Sequence, residues 1–516
     1  MGRPALPMPA IAPDIAASSP HDSTLRSMSI TRHTLYNLAG LGAPLLVALV
    51  SIPPLIALLG VARFGLLALL WAVVSYFGLF DLGLGRALTQ RLAATQARRA
   101  DEAGAIVGSA LLLMVLLGIV AGAVLAALTP WGVGRIAEVP DPGESVRAVL
   151  WMALTVPAVV VTAGLRGVLE ARHKFGWVNL IRLPMGLWTF LGPLAVAVWS
   201  GPRLDWIAAV LALGRALALL AHAGAAWAAM PAGTRHLRVE RAQLRPLLAS
   251  GGWLTVGNII GPLMGYADRF IIAATVSASA VAYYATPHEL VTKLWIVPGA
   301  LSAVLFPTFA AMTSGRAADE TAGPPAWALA LLGVRWLFVV LVPVTLALAL
   351  FAREALGWWI GAEFAIYSAP VLQLLALGVL INCLAHVPLT LLQGAGQARA
   401  PALLQAVQIL PYVALLWWLT QTHGVIAAAA LWLARMVLDT LAMFWLCSRD
   451  HGGLRRWQPG RAAYFAGGLS LMAFAATLAS LPLATRSVLW VATVVAVAAL
   501  LAPWRHTVGW SKATRS

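Results

Sequence analysis

Arg215, Lys293, Arg335 and Arg435 each lie deep inside a long apolar run, about 10 to 12 residues from its end, which at 1.5 Å per helical residue is near the middle of a bilayer. A charge there costs about 3 kcal/mol even on lenient insertion scales, so these groups are expected to face a polar interior and not lipid. Arginine can grip a phosphate oxygen pair with its planar fork, and lysine offers a mobile point charge. The chemistry this predicts is non-covalent: holding a phosphate or pyrophosphate inside a cationic cavity. Arg182 belongs with this substrate-binding set at a shallower depth.

Carboxylates share the same runs. Glu289 and Lys293 are four residues apart, as are Arg435 and Asp439, so each pair can meet on one helix face. Arg269 is a further partner for Glu289, across two successive runs. Asp268 adjoins Arg269 but points about 100° away around a helix, and so needs a different partner or a cavity. Asp268, Arg269, Glu289 and Asp439 are therefore expected to be ion-pairing groups. The acids admit a second role as carriers of H+ or Na+, which would be the only cofactor-like species. Six basic groups against these three acids leave an excess of positive charge within the membrane.

Other signals are weaker. Asp81 and Arg86 flank Gly83 and Gly85 at the end of an apolar run, which reads as a gate or hinge contact or as a helix-end charge pair. The segment from Arg86 to Arg99 reads as a basic amphipathic helix on the membrane surface. His222 and His386 are isolated and predict packing or cavity residues, with no metal site. Cys383 and Cys447 build no disulfide framework. No GxxxxGK[ST] loop occurs, so ATP is not the direct driver.

These residues need an all-α polytopic membrane protein to position them. The 516-residue chain is 61% hydrophobic and only 10% charged, against about 25% charged in soluble domains. Its net charge of +16 falls in short runs between apolar segments, a pattern of membrane orientation and not of nucleic-acid binding. Apolar runs predict about fourteen transmembrane helices, at 35–59, 65–84, 103–128, 147–166, 176–200, 204–229, 248–274, 281–311, 325–350, 368–394, 400–420, 425–447, 462–482 and 487–504. The excess of Arg and Lys in alternate loops places both termini in the cytoplasm. The first run is too long for a signal peptide and is expected to stay as a helix.

The segment Arg166 to Pro184, RGVLEARHKFGWVNLIRLP, aligns without a gap on Gln393 to Pro411, QGAGQARAPALLQAVQILP, at a constant offset of 227 residues. Gly167, Ala171, Arg172, Leu183 and Pro184 fall on Gly394, Ala398, Arg399, Leu410 and Pro411. This predicts a parallel repeat of two six-helix lobes around a central cavity, plus two C-terminal helices. The expected divisions are a disordered cytoplasmic tail at 1–33, an N-lobe at 34–230, a basic linker at 231–247, a C-lobe at 248–448 and a C-terminal hairpin and tail at 449–516.

The run from Phe64 to Leu92, FGLLALLWAVVSYFGLFDLGLGRALTQRL, resembles the N-terminal region of polysaccharide-biosynthesis and O-antigen flippases, the Wzx-type family of the multidrug/oligosaccharidyl-lipid/polysaccharide (MOP) exporter superfamily. Gly251 to Phe270, Tyr283 to Phe309 and Leu391 to Arg399 resemble the same family in matching order, and the similarity covers most of Leu35 to Leu446. It implies a flippase, not an enzyme, that moves undecaprenyl-pyrophosphate-linked oligosaccharide from the cytoplasmic to the periplasmic leaflet of the bacterial inner membrane. Membrane lipids, a polysaccharide polymerase and export machinery are the partners it implies. Competing expectations are a multidrug or cation antiporter of the same superfamily, or a membrane glycosyltransferase or polymerase. The outer segments are short for the latter, the longest being about Thr129 to Val146 and Phe351 to Tyr367.

Overall fold

The computed structural model describes residues 42–79, 83–96, 102–231, 235–244, 247, 264–313, 325–450, 461–475, 477 and 481–499. Among them there are helices and no strands. In chain order these are α1 (Gly42–Leu59), α2 (Val61–Leu79), α3 (Leu84–Gln96), α4 (Ala103–Val133), α5 (Pro142–Ala171), α6 (Phe175–Ser200), α7 (Leu204–Ala229), α8 (264–275), α9 (Ala278–Thr292), α10 (Ile296–Thr313), α11 (Ala326–Leu350), α12 (Ala352–Trp359), α13 (Ala362–Tyr367), α14 (Ala369–Gly394), α15 (Arg399–Asp450), α16 (Arg461–Ala475) and α17 (Leu483–Ala499). Among the described residues nine helical runs are long and apolar enough to cross a bilayer, with two shorter apolar ones at Val61–Phe77 and Leu483–Ala499. The protein is a multi-pass membrane protein. The predicted tail at 1–33 and Asp81 lie outside the described residues, and the linker at 231–247 is described only in part.

Local chemistry explains the boundaries. Asp141 caps α5 by accepting a hydrogen bond from the Glu144 N–H at 2.9 Å, with Pro142 supplying a preset φ at the first position. Ser277 does the same for α9, accepting from the Ala280 N–H at 3.1 Å. Gly424 divides α15 into two arms through φ +64 and ψ −148, a conformation that costs glycine least. The run predicted as one helix at 281–311 is interrupted by a 3-10 turn, Lys293–Trp295, between α9 and α10. Pro298 explains this: it has no N–H to give the Leu294 carbonyl, and its ring crowds that carbonyl.

The two halves of the chain share a packing pattern. In the first, α5 packs on α4 and α7; in the second, α14 packs on α11 and α15. The offset of 227 residues carries the start of α5, Pro142, onto the start of α14, Ala369. Close approach of α4 and α5 depends on glycine. A Cβ on Gly118 would lie 2.6 Å from Pro157 Cα, and one on Gly122 would lie 2.7 Å from the Ala153 carbonyl. Outward-facing Leu116, Ile119, Val120 and Val124 of α4 leave a surface for lipid to cover.

We name the ends of the bundle by their arginines. At the Arg63 end, charge pairs tie together the connections of the first half. Arg63 reaches Glu144 at 3.2 Å, and Arg147 and Arg203 reach Asp205 at 3.1 and 2.9 Å. The Arg203 guanidinium is held above its ordinary pKa by the hydrogen bond to Asp205. The halves meet at this end too. The Ala137 N–H donates to the Ala273 carbonyl at 3.3 Å, and the Ala278 N–H donates to the Ala137 carbonyl at 3.2 Å. Alongside, α2 packs on α9, where a Cβ on Gly65 would run into the Ala278 carbonyl. The Trp359 indole N–H donates to the Leu49 carbonyl at 2.8 Å, an acceptor left free because Pro53 cannot close the helical bond.

The segment expected to lie as an amphipathic helix on the membrane is α3, and its placement corrects that expectation. Its apolar face, Leu84, Ala87, Leu88 and Leu92, is buried against α4 and α5 in a protein core, so protein and not lipid covers it. Arg86 is exposed on the opposite side.

Candidate functional site

Six of the predicted membrane charges converge where α8, α9 and α15 meet. Arg269, with a side chain only 3% exposed, donates to Glu289 Oε1 at 2.6 Å. The other oxygen of Glu289 accepts from Lys293 Nζ at 3.0 Å, so one carboxylate bridges two cations. Arg435 Nε lies 3.8 Å from Asp439 Oδ2 one turn along α15, and its NH1 donates to the Met264 carbonyl at 3.4 Å.

Asp268 is fully buried, and its partners are two phenols. Tyr284 of α9 donates to Oδ2 at 2.7 Å and Tyr412 of α15 to Oδ1 at 2.6 Å. A buried carboxylate with both oxygens occupied is held in place by charge-assisted hydrogen bonds. Tyr412 also lies under Arg435, whose guanidinium carbon is 5.1 Å from the ring centroid. His288 stacks on Tyr284 at 5.6 Å and meets the Arg269 guanidinium through Nδ1 at 3.4 Å. Its Nε2 is buried without a partner among the described residues.

The network contains three cations, Arg269, Lys293 and Arg435, and three carboxylates, Asp268, Glu289 and Asp439. With all six ionised it is neutral as a unit, which is the condition under which buried charge is tolerable. Asp439 is buried beside Gln408 and Arg435. Tyr284, His288 and Tyr412 were absent from the sequence-based set. The signal available for two of them was the four-residue spacing of Tyr284 and His288, with His288 adjoining Glu289 inside an apolar run.

The remaining predicted cations are elsewhere and stand apart from this network. Arg215 is half-buried and falls on the stripe of α7 marked by Leu211, Ala218 and His222, which faces protein. It has no hydrogen-bond acceptor or carboxylate partner among the described residues. Arg335 of α11 is likewise half-buried, and its Nε is fully buried with no acceptor. Arg182 of α6 is exposed and unpaired. The excess positive charge of the membrane interior thus resides on Arg182, Arg215 and Arg335, while Lys293 and Arg435 are compensated.

The histidines singled out in the sequence are quiet. His222 and His386 each bond through Nδ1 to the carbonyl four residues back, at 2.8 and 3.1 Å. Among the described residues no group of three His, Cys, Asp or Glu could hold a metal ion. Of the gate pair, Arg86 is exposed; near it, the Thr89 hydroxyl bonds the Gly85 and Gly167 carbonyls at 2.9 and 3.2 Å, joining α3 to α5.

Comparison with known proteins follows the same lines. The chain is 28% identical over 403 residues to a protein of Shigella flexneri named "Putative O-antigen transporter", covering 78% of this chain and 93% of that one. Its fold is similar to lipid II flippase MurJ in an inward closed conformation, with a TM-score of 0.68, 11% identity, and coverage of 91% of this chain and 98% of that one. A multidrug resistance MATE family transporter of the MOP superfamily, inward-facing, gives a TM-score of 0.64 at 14% identity, covering 81% and 94%. The sequence model of the family described as "Polysaccharide biosynthesis protein" matches residues 30–313, more than half of the chain, and the chain belongs to that family.

Proposed function

We propose that this protein is a flippase that moves a polyprenyl-pyrophosphate-linked oligosaccharide from the cytoplasmic to the periplasmic leaflet of a bacterial inner membrane, for exopolysaccharide, capsule or O-antigen synthesis. The observation that carries the reading is the unpaired cation inside the membrane. Arg215 and Arg335 are half-buried at mid-span without acceptors, a state that favours an anionic ligand able to supply the missing partner. Arg182, nearer the surface, fits a first contact for the same pyrophosphate. Lys293 and Arg435 act in this reading as fixed counter-ions that brace α8, α9 and α15.

The two lobes, 34–230 and 248–448, would rock about the seam at the Arg63 end, which charge asymmetry of the loops assigns to the periplasm, with both termini cytoplasmic. A coupling H+ or Na+ would act at Asp439, a buried carboxylate that Arg435 approaches only to 3.8 Å; Asp439→Asn should then abolish the pH or Na+ dependence of transport, and unaltered dependence would remove that role. An antiporter of organic cations fits less well, since the three carboxylates already face three cations.

The test is the leaflet location of lipid-linked oligosaccharide in cells lacking the gene, read with a membrane-impermeant sugar-modifying enzyme added outside. Accumulation on the cytoplasmic side, relieved by restoring the gene, is expected. Outward-facing units that fail to extend would favour a polymerase or ligase instead.

A further inference from the structure

A cavity of about 340 Å³ lies in the seam between the two halves, at the lower end of the size range of small-ligand sites. Leu66, Leu69 and Val73 of α2, Leu128 of α4, Ala273 of α8 and Trp417 of α15 line it. All fall within about 20 Å of the Arg63 end, judged by helical rise. The lining has two hydroxyls, and both are spent internally: Thr129 donates to the Leu125 carbonyl at 2.7 Å and Ser145 to the Asp141 carbonyl at 2.8 Å. Apart from Arg135 and the indole N–H groups of Trp131 and Trp417 the lining is apolar, so the cavity suits a hydrocarbon chain better than water.

The mouth faces sideways. Leu128 is 54% exposed and Trp131 is 64% exposed, and in a bilayer such surface is met by lipid chains. At the same mouth stands Arg135, exposed, its guanidinium carbon 5.3 Å from the Trp131 ring centroid and without a carboxylate among the described residues. One apolar channel beneath one free cation complements a lipid with a single chain and a phosphate-bearing head. A two-chained phospholipid fits that shape less well.

Resting on the flippase reading, we propose that this cavity holds the first few isoprene units of the carrier lipid's chain on the periplasmic side, with Arg135 facing its phosphate. The site is bounded by the Ala137 bonds to Ala273 and Ala278 that hold the halves together. Chain and seam are therefore in contact, and the lipid would be seated where the halves must part to release its head.

The test uses the full-length protein in lipid nanodiscs and a diazirine-bearing undecaprenyl phosphate, with labelled peptides mapped by mass spectrometry. Label is expected on residues 125–136 and 270–274, competed by undecaprenyl phosphate and far less by phosphatidylglycerol. Leu69→Trp, which fills the cavity, and Leu128→Glu, a change at its exposed mouth, should each lower labelling about tenfold; Arg135→Ala should lower it while leaving the protein monodisperse. Unchanged labelling in Leu128→Glu and Arg135→Ala would overturn the site, as would equal competition by phosphatidylglycerol, the mark of ordinary lipid contact. Labelling is read without transport. A protein that takes the probe here yet leaves lipid-linked oligosaccharides unmoved would contradict the flippase reading and keep the site.

Discussion

The arginines of α6 and α7 and those of α8 and α15 all lie within apolar spans but in opposite electrostatic circumstances. Arg269 and Arg435 sit in a network where three cations meet three carboxylates and two tyrosines fix the most buried acid. Arg182 and Arg215 have no carboxylate partner among the described residues, and Arg335 of α11 shares their condition. The difference teaches that a charge inside a membrane protein is not by itself a binding residue. A neutral network is self-sufficient and structural, whereas an uncompensated cation leaves work for a ligand.

The largest expected effect comes from breaking the neutral side of that comparison. Glu289→Ala strands Arg269, whose side chain is only 3% exposed; Glu289 itself is 39% exposed, so the cost falls to the low end of that for a buried pair, about 3 kcal/mol. The yield of monodisperse protein in detergent should collapse. Recovery of that yield by pairing Glu289→Ala with Arg269→Met would sharpen the assignment, since it removes the stranded charge.

Next is the uncompensated side. Arg215→Gln should leave expression and melting behaviour near wild type, yet lower transport by about tenfold or more, the equivalent of one lost hydrogen bond to a charged group at about 1.5 to 3 kcal/mol. Transport assayed beside thermal stability separates the two. If Arg215→Gln destabilised the protein as much as Glu289→Ala, the contrast between the regions would be lost.

A smaller effect belongs to Tyr412→Phe. It removes one of two phenols from Asp268 but leaves Tyr284 in place, so a loss of about 1 to 2 kcal/mol is expected in the melting of purified protein. The smallest concerns the surface pair of Glu354 and Arg486, 2.5 Å apart. The hydrogen bond from Arg486 lowers the Glu354 pKa, so its stabilisation is present above the unfolded carboxylate value near 4.3 and is lost as pH falls through the lowered folded value. The pair is partly exposed, so the change should stay within about 0.5 kcal/mol, visible as a small difference between wild type and Glu354→Gln that vanishes in acid.

Much of this was legible in the chain because it is local. Spacings of four residues brought Glu289 to Lys293 and Arg435 to Asp439, and apolar runs located the helices, including the break between the arms of α15 where Gly424 stands. What was not legible depends on contacts far along the sequence. Asp268 was seen to need a partner, but Tyr284 and Tyr412 lie 16 and 144 residues away and are brought there by packing. The amphipathic pattern of α3 announced an apolar face without saying whether lipid or protein covers it. The 3-10 turn at Lys293 was announced by Pro298, a local signal hidden within a continuous apolar run.

The central claim is that unpaired membrane arginines hold the pyrophosphate of a lipid-linked sugar during its passage. It is tested most directly by purified protein in proteoliposomes containing a lipid-linked oligosaccharide with a tagged sugar, with outer-leaflet tag read against time. Wild type should move the lipid, and a folded, monodisperse Arg215→Gln, Arg335→Gln double variant should move it at least about tenfold more slowly. Movement at the wild-type rate in that double variant would contradict the account.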